Sequence, residues 1–423
     1  MTDQASAFAS RSVSECSLAL KGRKARARDR GEAPHIRFAH RDTNSFRQAL
    51  NGRVDAYFAA NGKTRFADRG FWIEAAVLTA VMLGAYAALL GNAFGDRFGP
   101  WGSLVPALVY GLALLVLAMS VAHDAAHAAV TGNGRIDDAI QRAVMGLLGV
   151  DGYLWRLRHN GSHHAFPNVN GSDIDIDENP VLRLSPNHPW KPHYRFQHLY
   201  APFAYMLTLW DSIFVNDLKY LFKRDLANMR GIVHPRREHV KFWLFKLLYL
   251  TVNLILPLAF VQLPWWQILL GYALVNAAVS LVFVVLLVGT HFSLEADFPA
   301  ADAAGRLDTS WAAHAVSTAL NWSTRSRIAF HLTGGVNCHA AHHLYPRVNH
   351  VHYWALTRIA EQTAREHGLT FHEASFTGMI ASHFAHLRRL GRGPVPPRNG
   401  GWWLRMSMRI PPKLLFGVYR AFY

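Results

Sequence analysis

The sequence predicts an all-α integral membrane protein with four transmembrane helices arranged as two hairpins. The chain has 423 residues, of which 51% are hydrophobic and only 17% are charged. The apolar residues are concentrated in four long runs, and several of the 24 histidines stand close to the ends of these runs. Such a composition excludes a disordered or a fibrous chain.

The four apolar runs are long enough to cross a bilayer. They are predicted at about 71–90, 101–122, 242–261 and 266–290. At 1.5 Å per residue, each helix covers a hydrocarbon core of about 30 Å. Buried helices of a large soluble protein are the alternative, but four such runs are difficult to cover with other protein. Lys246 lies one turn inside the third run, and its long side chain is expected to reach the membrane surface.

The distribution of basic residues predicts the orientation of the spans. Residues 1–70 carry 14 Lys and Arg, residues 123–241 carry 14, and the residues after Thr290 carry another 14. The two hairpin turns, 91–100 and 262–265, contain a single basic residue, Arg97. Cytoplasmic segments carry the excess of Lys and Arg, so both turns are predicted outside the cell. The rest of the chain, including both termini, is predicted in the cytoplasm.

The net charge of +16 does not require a nucleic acid partner. Cytoplasmic segments that lie against the anionic headgroups of a lipid bilayer carry such a charge. No basic helix with a pattern of stacking aromatic residues accompanies it, so no nucleic acid binding is expected. The only cysteines are Cys16 and Cys338, which provide no disulfide framework and suit a reducing compartment.

Three regions are predicted along the chain. Residues 1–43 form a mobile basic arm, residues 44–390 form the membrane domain, and residues 391–423 form a tail rich in Trp and Arg that lies in the membrane interface. Two further apolar stretches, Ile136–Trp155 and Leu199–Val215, are interrupted by polar residues. We expect them to be interfacial or half-buried helices.

Three histidine motifs are predicted on the cytoplasmic side. H-D-A-A-H ends the second run, R-H-N-G-S-H-H begins at Arg158, and C-H-A-A-H-H begins at Cys338. Spacings of three and four residues place side chains on one face of a helix. His291, at the end of the fourth run, emerges on the same side. The nine candidate metal ligands are His123, His127, His159, His163, His164, His291, His339, His342 and His343.

Nine imidazoles are far more than one zinc ion needs. Imidazole is a good ligand for iron, so we infer that two metal ions share the set and that the metal is iron. Such a site activates dioxygen, and its place beside the membrane predicts a substrate that arrives from the lipid phase. For one motif alone, hydrogen-bonded surface histidines are an alternative. A zinc protease helix would need Glu after His123, where Asp124 stands.

Carboxylates close to the motifs are candidates to orient the ligands. A ligating histidine usually donates its second N–H to a carboxylate or a carbonyl group. Asp124, Asp173 and Glu295 are the candidates, and no catalytic side chain is expected beyond the ligands themselves. For the run D-I-D-I-D at 173–177, a solvated loop is the favoured interpretation. A calcium loop is excluded because Leu184 stands where a bidentate Glu is required.

These motifs resemble those of the membrane fatty acid desaturases, in particular the bacterial acyl-lipid or acyl-CoA branch related to the front-end desaturases. The resemblance extends from about Asn44 to about Ser382. Two residues depart from the front-end pattern: His339 stands where Gln is frequent, and Ala341 where Glu is frequent. The matching stretches are A-H-D-A-A-H (122–127), R-H-N-G-S-H-H-A-F-P-N-V-N-G-S-D (158–173), T-H-F-S-L-E-A-D-F-P (290–299) and G-G-V-N-C-H-A-A-H-H-L-Y-P-R-V-N-H-V-H-Y (334–353).

The resemblance implies four spans under a cytoplasmic helical cap in which the nine histidines hold two iron ions (Fe2+/Fe3+). It implies an oxygen-dependent removal of two neighbouring hydrogens from a fatty acyl chain on a lipid or on coenzyme A, in the bacterial inner membrane. No H-P-G-G haem-binding motif occurs in the sequence. Electrons are therefore expected from a separate ferredoxin or b-type cytochrome with its reductase.

Other functions remain open at this stage. A hydroxylase, a ketolase or an acetylenase would use the same iron site, and H-D-A-A-H also resembles carotenoid ketolases. A non-enzymatic metal-binding or transport protein would need more polar groups inside the spans than Glu74, Lys246 and Asn253. Several basic residues could hold the phosphates of coenzyme A or, as we slightly prefer, contact lipid headgroups. They are Arg156, Arg158, Lys219, Lys223, Arg224, Arg236 and Arg237.

Overall fold

A computed structural model of the protein describes residues 35–40 and 45–393. Within these ranges the chain is mostly helical. Most of the predicted arm over 1–43 and of the predicted tail over 391–423 lies outside the described residues. Residues 35–40 of the arm pack against the rest of the chain, because the strand Arg37–Phe38 pairs in parallel with the strand Arg306–Leu307.

Four helices in the described part of the chain are long and apolar enough to cross a membrane. We number them spans one to four: Arg69–Leu90, Pro100–Ala126, Arg236–Phe260 and Trp265–Thr290. The prediction of four helices from the apolar runs is confirmed. Span three begins earlier than the predicted residue 242 because its first turn is helical but polar.

Span two is the central helix of the four. In its most apolar stretch 61% of the residues are buried inside the protein, against 11% in span one, 17% in span three and 28% in span four. The two hairpin turns are joined by Asn92, whose side chain donates to the Phe260 carbonyl (3.0 Å) and accepts from the Gln262 N–H (2.8 Å). The apolar side chains that remain exposed on the outer spans are those expected to face lipid.

Short helices connect spans two and three. The predicted single helix Ile136–Trp155 is wrong, because the chain breaks at Gly149 with a positive φ of 90° that favours glycine. Asp151 then caps the next helix by accepting from the Leu154 N–H (2.8 Å). The segments are Gly134–Leu148, Gly152–Arg158, His159–His163, Ile174–Asp177, Pro192–Phe196, Gln197–Met206, Thr208–Trp210, Asp211–Asn216 and Asp217–Phe222.

The remaining elements cover the ends of the spans. Before span one lies the helix Ser45–Asn61, which packs on Tyr353–Glu366. A second parallel strand pair joins Leu320–Trp322 to His372–Ala374. The other helices after span four are Trp311–Ser317, Arg327–Leu332, His339–Leu344, His350–His352 and Phe376–Gly391.

A close backbone approach brings the third histidine motif to span two. Gly334 has a φ of +55°, and a Cβ atom there would lie 2.5 Å from the Met119 carbonyl oxygen. Only glycine fits both the backbone conformation and the space. The segment before His339 therefore touches the turn of span two that precedes His123.

Lys246 is paired inside the protein, so the expectation that it reaches the membrane surface is wrong. Its ammonium group donates to the carbonyl oxygens of Gly149 (2.7 Å) and Ile213 (2.6 Å) and to the carboxylate of Asp217 (2.8 Å). These bonds join span three to two segments of the region between spans two and three.

Candidate metal centre

The nine predicted histidines converge on one site. His123, His127, His159 and His342 form one group, with one nitrogen of each within 4.8 Å of the others. The second group consists of His163, His291, His339 and His343 on the same criterion. His164 lies between the two groups, within reach of both His342 and His343. The arrangement could therefore hold two metal ions, one in each group.

The first motif lies at the end of span two. A π-helical turn over Ala118–Ala122 precedes the helical residues His123–Ala126. A π turn adds one residue to the helical turn and so changes the direction of the side chains that follow. The rings of His123 and His127 then lie 5.0 Å apart, and both are buried.

The second motif also adopts a π turn, over His159–His163. The His164 N–H donates to the His159 carbonyl oxygen (2.9 Å), which is the five-residue spacing of this turn. As a result the Nε2 atoms of His159 and His164 approach to 3.0 Å. The turn thus presents histidines to both groups from one short segment.

The third motif and span four meet in the second group. The helix His339–Leu344 presents His339 and His343 to His291, which follows the last turn of span four. The Nε2 atom of His291 lies 2.6 Å from that of His339 and 2.9 Å from that of His343.

Backbone carbonyls determine which nitrogen carries the proton in this group. Nδ1 of His291 lies 2.9 Å from the Thr318 carbonyl oxygen, and Nδ1 of His339 lies 3.1 Å from that of Val336. A carbonyl can only accept, so both Nδ1 atoms donate and both Nε2 atoms carry lone pairs. Two nitrogen lone pairs whose atoms are 2.6 Å apart repel each other unless both are directed at a shared cation. The arrangement fits a metal ion.

Burial keeps most of the cluster neutral. Burial and the neighbouring imidazoles lower the pKa of His127, His164 and His343 well below its ordinary value, and burial lowers that of His339 to about 3. Neutral imidazole is the form that binds metal. The side chain of His159 is partly exposed, whereas the other eight are buried.

His163 has a carboxylate partner. Its Nδ1 lies 3.2 and 3.3 Å from the two carboxylate oxygens of Asp173. Burial lowers the pKa of His163, but Asp173 outweighs this effect and raises the pKa to about 9. Asp173 is fully buried and also accepts from the Asn168 N–H (2.8 Å). The solvated-loop interpretation is therefore wrong for Asp173.

The other two candidate carboxylates have different partners. Asp124 is buried and accepts from the backbone and the ring of His350, while its second oxygen lies 3.9 Å from Nδ1 of His123, beyond hydrogen-bond distance. Glu295 accepts from the Ser382 hydroxyl. Within the described residues it makes no hydrogen bond to the nine histidines.

Two aromatic residues at the cluster were not predicted. The Trp155 ring stacks on His159 with centroids 4.2 Å apart, and the Tyr353 hydroxyl lies 3.4 Å from Nδ1 of His342. Trp155 precedes His159 by four residues, which is one helical turn, so spacing could have indicated it. The sequence contains no comparable signal for Tyr353.

A cavity of about 320 Å³ lies among the spans. Its walls are mainly apolar, with a hydrogen bond between the hydroxyl groups of Tyr249 and Tyr272 (2.6 Å). Leu209, Tyr249 and Val279 line it and also belong to the hydrophobic core against which Trp155 packs. Trp155 thus links the core beside the cavity to His159.

Several of the basic residues near the site are already paired. Arg156 contacts Asp138 (2.7 Å), and both Lys219 and Lys223 contact Glu178, the latter at 2.7 Å. Arg237 lies 3.4 Å from Glu238. Arg158 lies over the Tyr220 ring, and Arg224 and Arg236 are exposed.

The four apolar helices and the cluster of nine histidines at their ends define a helical membrane protein with a candidate dinuclear metal centre. The chain belongs to the fatty acid desaturase family, whose model matches residues 99–375. It is accordingly an oxidoreductase of lipid metabolism that desaturates fatty acyl chains.

Relatives from several organisms are similar over most of the chain. The sn-1 linoleoyl-lipid 6-desaturase of Synechocystis sp. is 28% identical, over 85% of this chain and 99% of its own length. The protein of the same name from Arthrospira platensis is 27% identical over 82% of this chain and 93% of its own. The acyl-lipid (8-3)-desaturase of Physcomitrium patens is 27% identical over 86% of this chain and 75% of its own length.

Proposed function

We propose that this protein uses dioxygen to desaturate acyl chains of membrane lipids at a centre of two iron ions. The observation that carries the proposal is the approach of the Nε2 atoms of His291 and His339 to 2.6 Å in a buried group of four histidines. Iron accepts imidazole ligands readily. The two ions, when bound, supply the activation of dioxygen.

The stoichiometry of the reaction requires an external electron donor. Dioxygen takes two hydrogens from neighbouring carbons of the acyl chain, together with two electrons and two protons, and leaves a double bond and two molecules of water. The histidine side chains cannot supply these two electrons. We therefore propose a separate ferredoxin or b-type cytochrome, with its reductase, as the source.

Each group of histidines would hold one ion. His123, His127, His159 and His342 would bind the first ion, and His163, His291, His339 and His343 the second, with His164 between them. The carbonyls of Thr318 and Val336 and the carboxylate of Asp173 fix the orientation of three rings. Such partners raise the basicity of a ligand and keep its lone pair on the metal.

A lipid substrate agrees better with the surface charges than coenzyme A does. Arg156, Lys219 and Lys223 each have a carboxylate partner and are less free to bind phosphate. The relatives from Synechocystis sp. and Physcomitrium patens are named as desaturases of lipid-bound chains. We propose an acyl-lipid as the substrate.

We propose that the site faces the cytoplasm from a bacterial inner membrane. The cluster lies at the ends of spans two and four, beside the basic segment 123–241. The hairpin turns at the opposite ends carry only Arg97. Segments rich in Lys and Arg remain on the cytoplasmic side of a membrane. The nine histidines would then belong to one membrane domain over about 44–390, with the basic arm and the Trp-rich tail outside it.

The test is gas chromatography with mass spectrometry of the fatty acids of a host that expresses the protein. We expect a new unsaturated acid, absent when His343→Ala is expressed and retained with His193→Ala, which changes an exposed histidine outside the cluster. The purified wild-type protein should contain about two iron ions per chain by elemental analysis. A hydroxylated or acetylenic product would overturn the proposal of desaturation, and a chain without iron would overturn the metal assignment.

A further inference from the structure

The segment 205–216 lies against span four at membrane depth. The Ser280 hydroxyl donates to the Tyr205 carbonyl oxygen (2.6 Å) and accepts from the Leu209 N–H (3.0 Å). Ser280 is ten residues before the end of span four, which is about 15 Å along the helix axis. The Trp210 ring contacts Tyr272, which lies still further along the span (centroids 5.2 Å apart).

This segment has one face toward the protein and one face outward. Tyr205, Leu209 and Ile213 are buried, with at most 5% of their surface exposed. On the other face Leu207 is 60% exposed and Val215 is 54% exposed. Exposed apolar side chains at this depth are suited to contact with lipid. The segment therefore forms a wall, one helix thick, between the interior of the protein and the surrounding lipid.

Behind this wall lies the cavity among the spans. Leu209 lines the cavity together with Tyr249, Tyr272 and Val279. Concave, mostly apolar spaces of this kind bind apolar ligands. A hydrocarbon chain that moved past Leu209 would pass from the bilayer directly into the cavity.

The wall is irregular along its length and is held by side-chain hydrogen bonds at both ends. The helix breaks at Leu207, and a π turn covers Asp211–Asn216. At the C-terminal end, Lys246 holds the Ile213 carbonyl and the Asp217 carboxylate. At the other end, Ser280 provides hydrogen bonds to the backbone of Tyr205 and Leu209, and the Tyr205 hydroxyl lies 2.5 Å from Nε2 of His383. Interrupted helices with few backbone bonds open more readily than continuous ones.

We propose that residues 205–216 form a lateral entrance through which the acyl chain of a bilayer phospholipid reaches the cavity, with Ser280 as its latch. This inference rests on the proposed function for a lipid-bound substrate. A chain that enters here contacts the hydrophobic core against which Trp155 packs, and Trp155 in turn stacks on His159. The headgroup stays in the membrane interface, which suits a substrate that never leaves the bilayer.

The test is photolabelling in vesicles of phosphatidylcholine that carries a diazirine in its acyl chain. The protein has the substitutions Leu209→Cys and Ser280→Cys, which replace two residues in backbone-to-side-chain contact, in a Cys16→Ser background. With the disulfide reduced, we expect mass spectrometry to find label on the cavity residues Tyr249 and Tyr272. Oxidation should reduce that label at least tenfold and leave the label on the outward Leu207 unchanged.

A second pair of variants decides the matter if the disulfide does not form. Ser280→Ala removes both latch bonds and should increase the labelling rate of Tyr272 several-fold, whereas Ser280→Thr keeps the hydroxyl and should not. Cavity labelling that is the same in all of these proteins, or absent from all of them, would overturn the entrance. Labelling does not require turnover, so loss of desaturation with normal labelling would contradict only the proposed function.

Discussion

Asp124 and His350 form a buried hydrogen-bonded pair that joins span two to the segment after the third histidine motif. One carboxylate oxygen of Asp124 accepts from both the backbone N–H (2.9 Å) and the ring Nδ1 (2.8 Å) of His350. Neither residue has more than 1% of its surface exposed. Asp124 thus contributes to the site by holding two parts of the chain together next to His123.

Replacing His350 should destabilise the protein strongly. His350→Ala leaves the buried Asp124 carboxylate without its ring partner, and removal of one member of a buried pair costs about 3–5 kcal/mol of unfolding free energy. The measurement is denaturant unfolding in detergent micelles. Asp124→Asn with His350→Ala should cost less than the sum of the single changes. Simple additivity would show that the pair is not coupled.

Replacing Asp173 should weaken metal binding without unfolding the protein. Asp173→Asn keeps the shape of the side chain but removes the charge beside Nδ1 of His163, so we expect metal affinity to fall about 10–100-fold. Competition with a chelator, followed by elemental analysis, measures this. Asp302→Asn is the matched control, because Asp302 pairs with Arg306 on the surface. Equal metal retention by both variants would contradict the role given to Asp173.

Glutamine should replace His339 better than alanine does. His339→Gln brings an amide oxygen that can ligate a metal ion, whereas His339→Ala leaves His291 and His343 with one ligand fewer. We expect the Gln variant to retain about two metal ions and part of its activity, and the Ala variant to lose the ion of that group. Elemental analysis and fatty acid profiles measure the two effects. Equal loss in both variants would show that only imidazole is accepted there.

The ion pairs of Glu178 with Lys219 and Lys223 should make the stability of the fold depend on pH. Burial raises the pKa of Glu178, but hydrogen bonds from Lys219 and Lys223 outweigh it and lower the pKa below its ordinary value of 4.5. The pair therefore stabilises the fold above that value, and this contribution is lost as the pH falls through the lowered pKa.

Glu178→Gln should accordingly reduce the unfolding free energy by about 0.5–1 kcal/mol at pH 7, since both lysines are partly exposed. The difference from wild type should shrink as the pH falls below 4.5 and disappear once the pH is below the lowered pKa of Glu178. Thermal unfolding across this pH range measures it.

The substitution also releases the two lysines, so a gain in binding of coenzyme A would show that Glu178 excludes that carrier.

Much of the fold and the convergence of the nine histidines could be predicted because both depend on patterns along the chain. Uninterrupted apolar runs identified the spans, and histidines at helical spacing identified the residues that the fold brings together. The break at Gly149 was missed because the apolar pattern continues through it. The π turns at Ala118–Ala122 and His159–His163 were missed because no residue in them is specific for that geometry.

The partners of the histidines depend on contacts between distant parts of the chain. The carbonyls of Thr318 and Val336 can orient a ring from any residue type, so composition contains no signal for them. Asp173 looked solvated because its neighbours in sequence are acidic, yet its side chain is the one that turns inward. Lys246 was expected at the surface because its partner Asp217 lies far away in sequence.

The division of the cluster among distant motifs has a consequence for biosynthesis. Each group of four histidines takes residues from both halves of the chain: His342 completes the first group and His343 the second. Neither group is complete until the ribosome has passed residue 343, by which time all four spans have been translated. A truncated nascent chain that stops before the third motif therefore lacks a complete group, and loading of the proposed metal ions would be a late step.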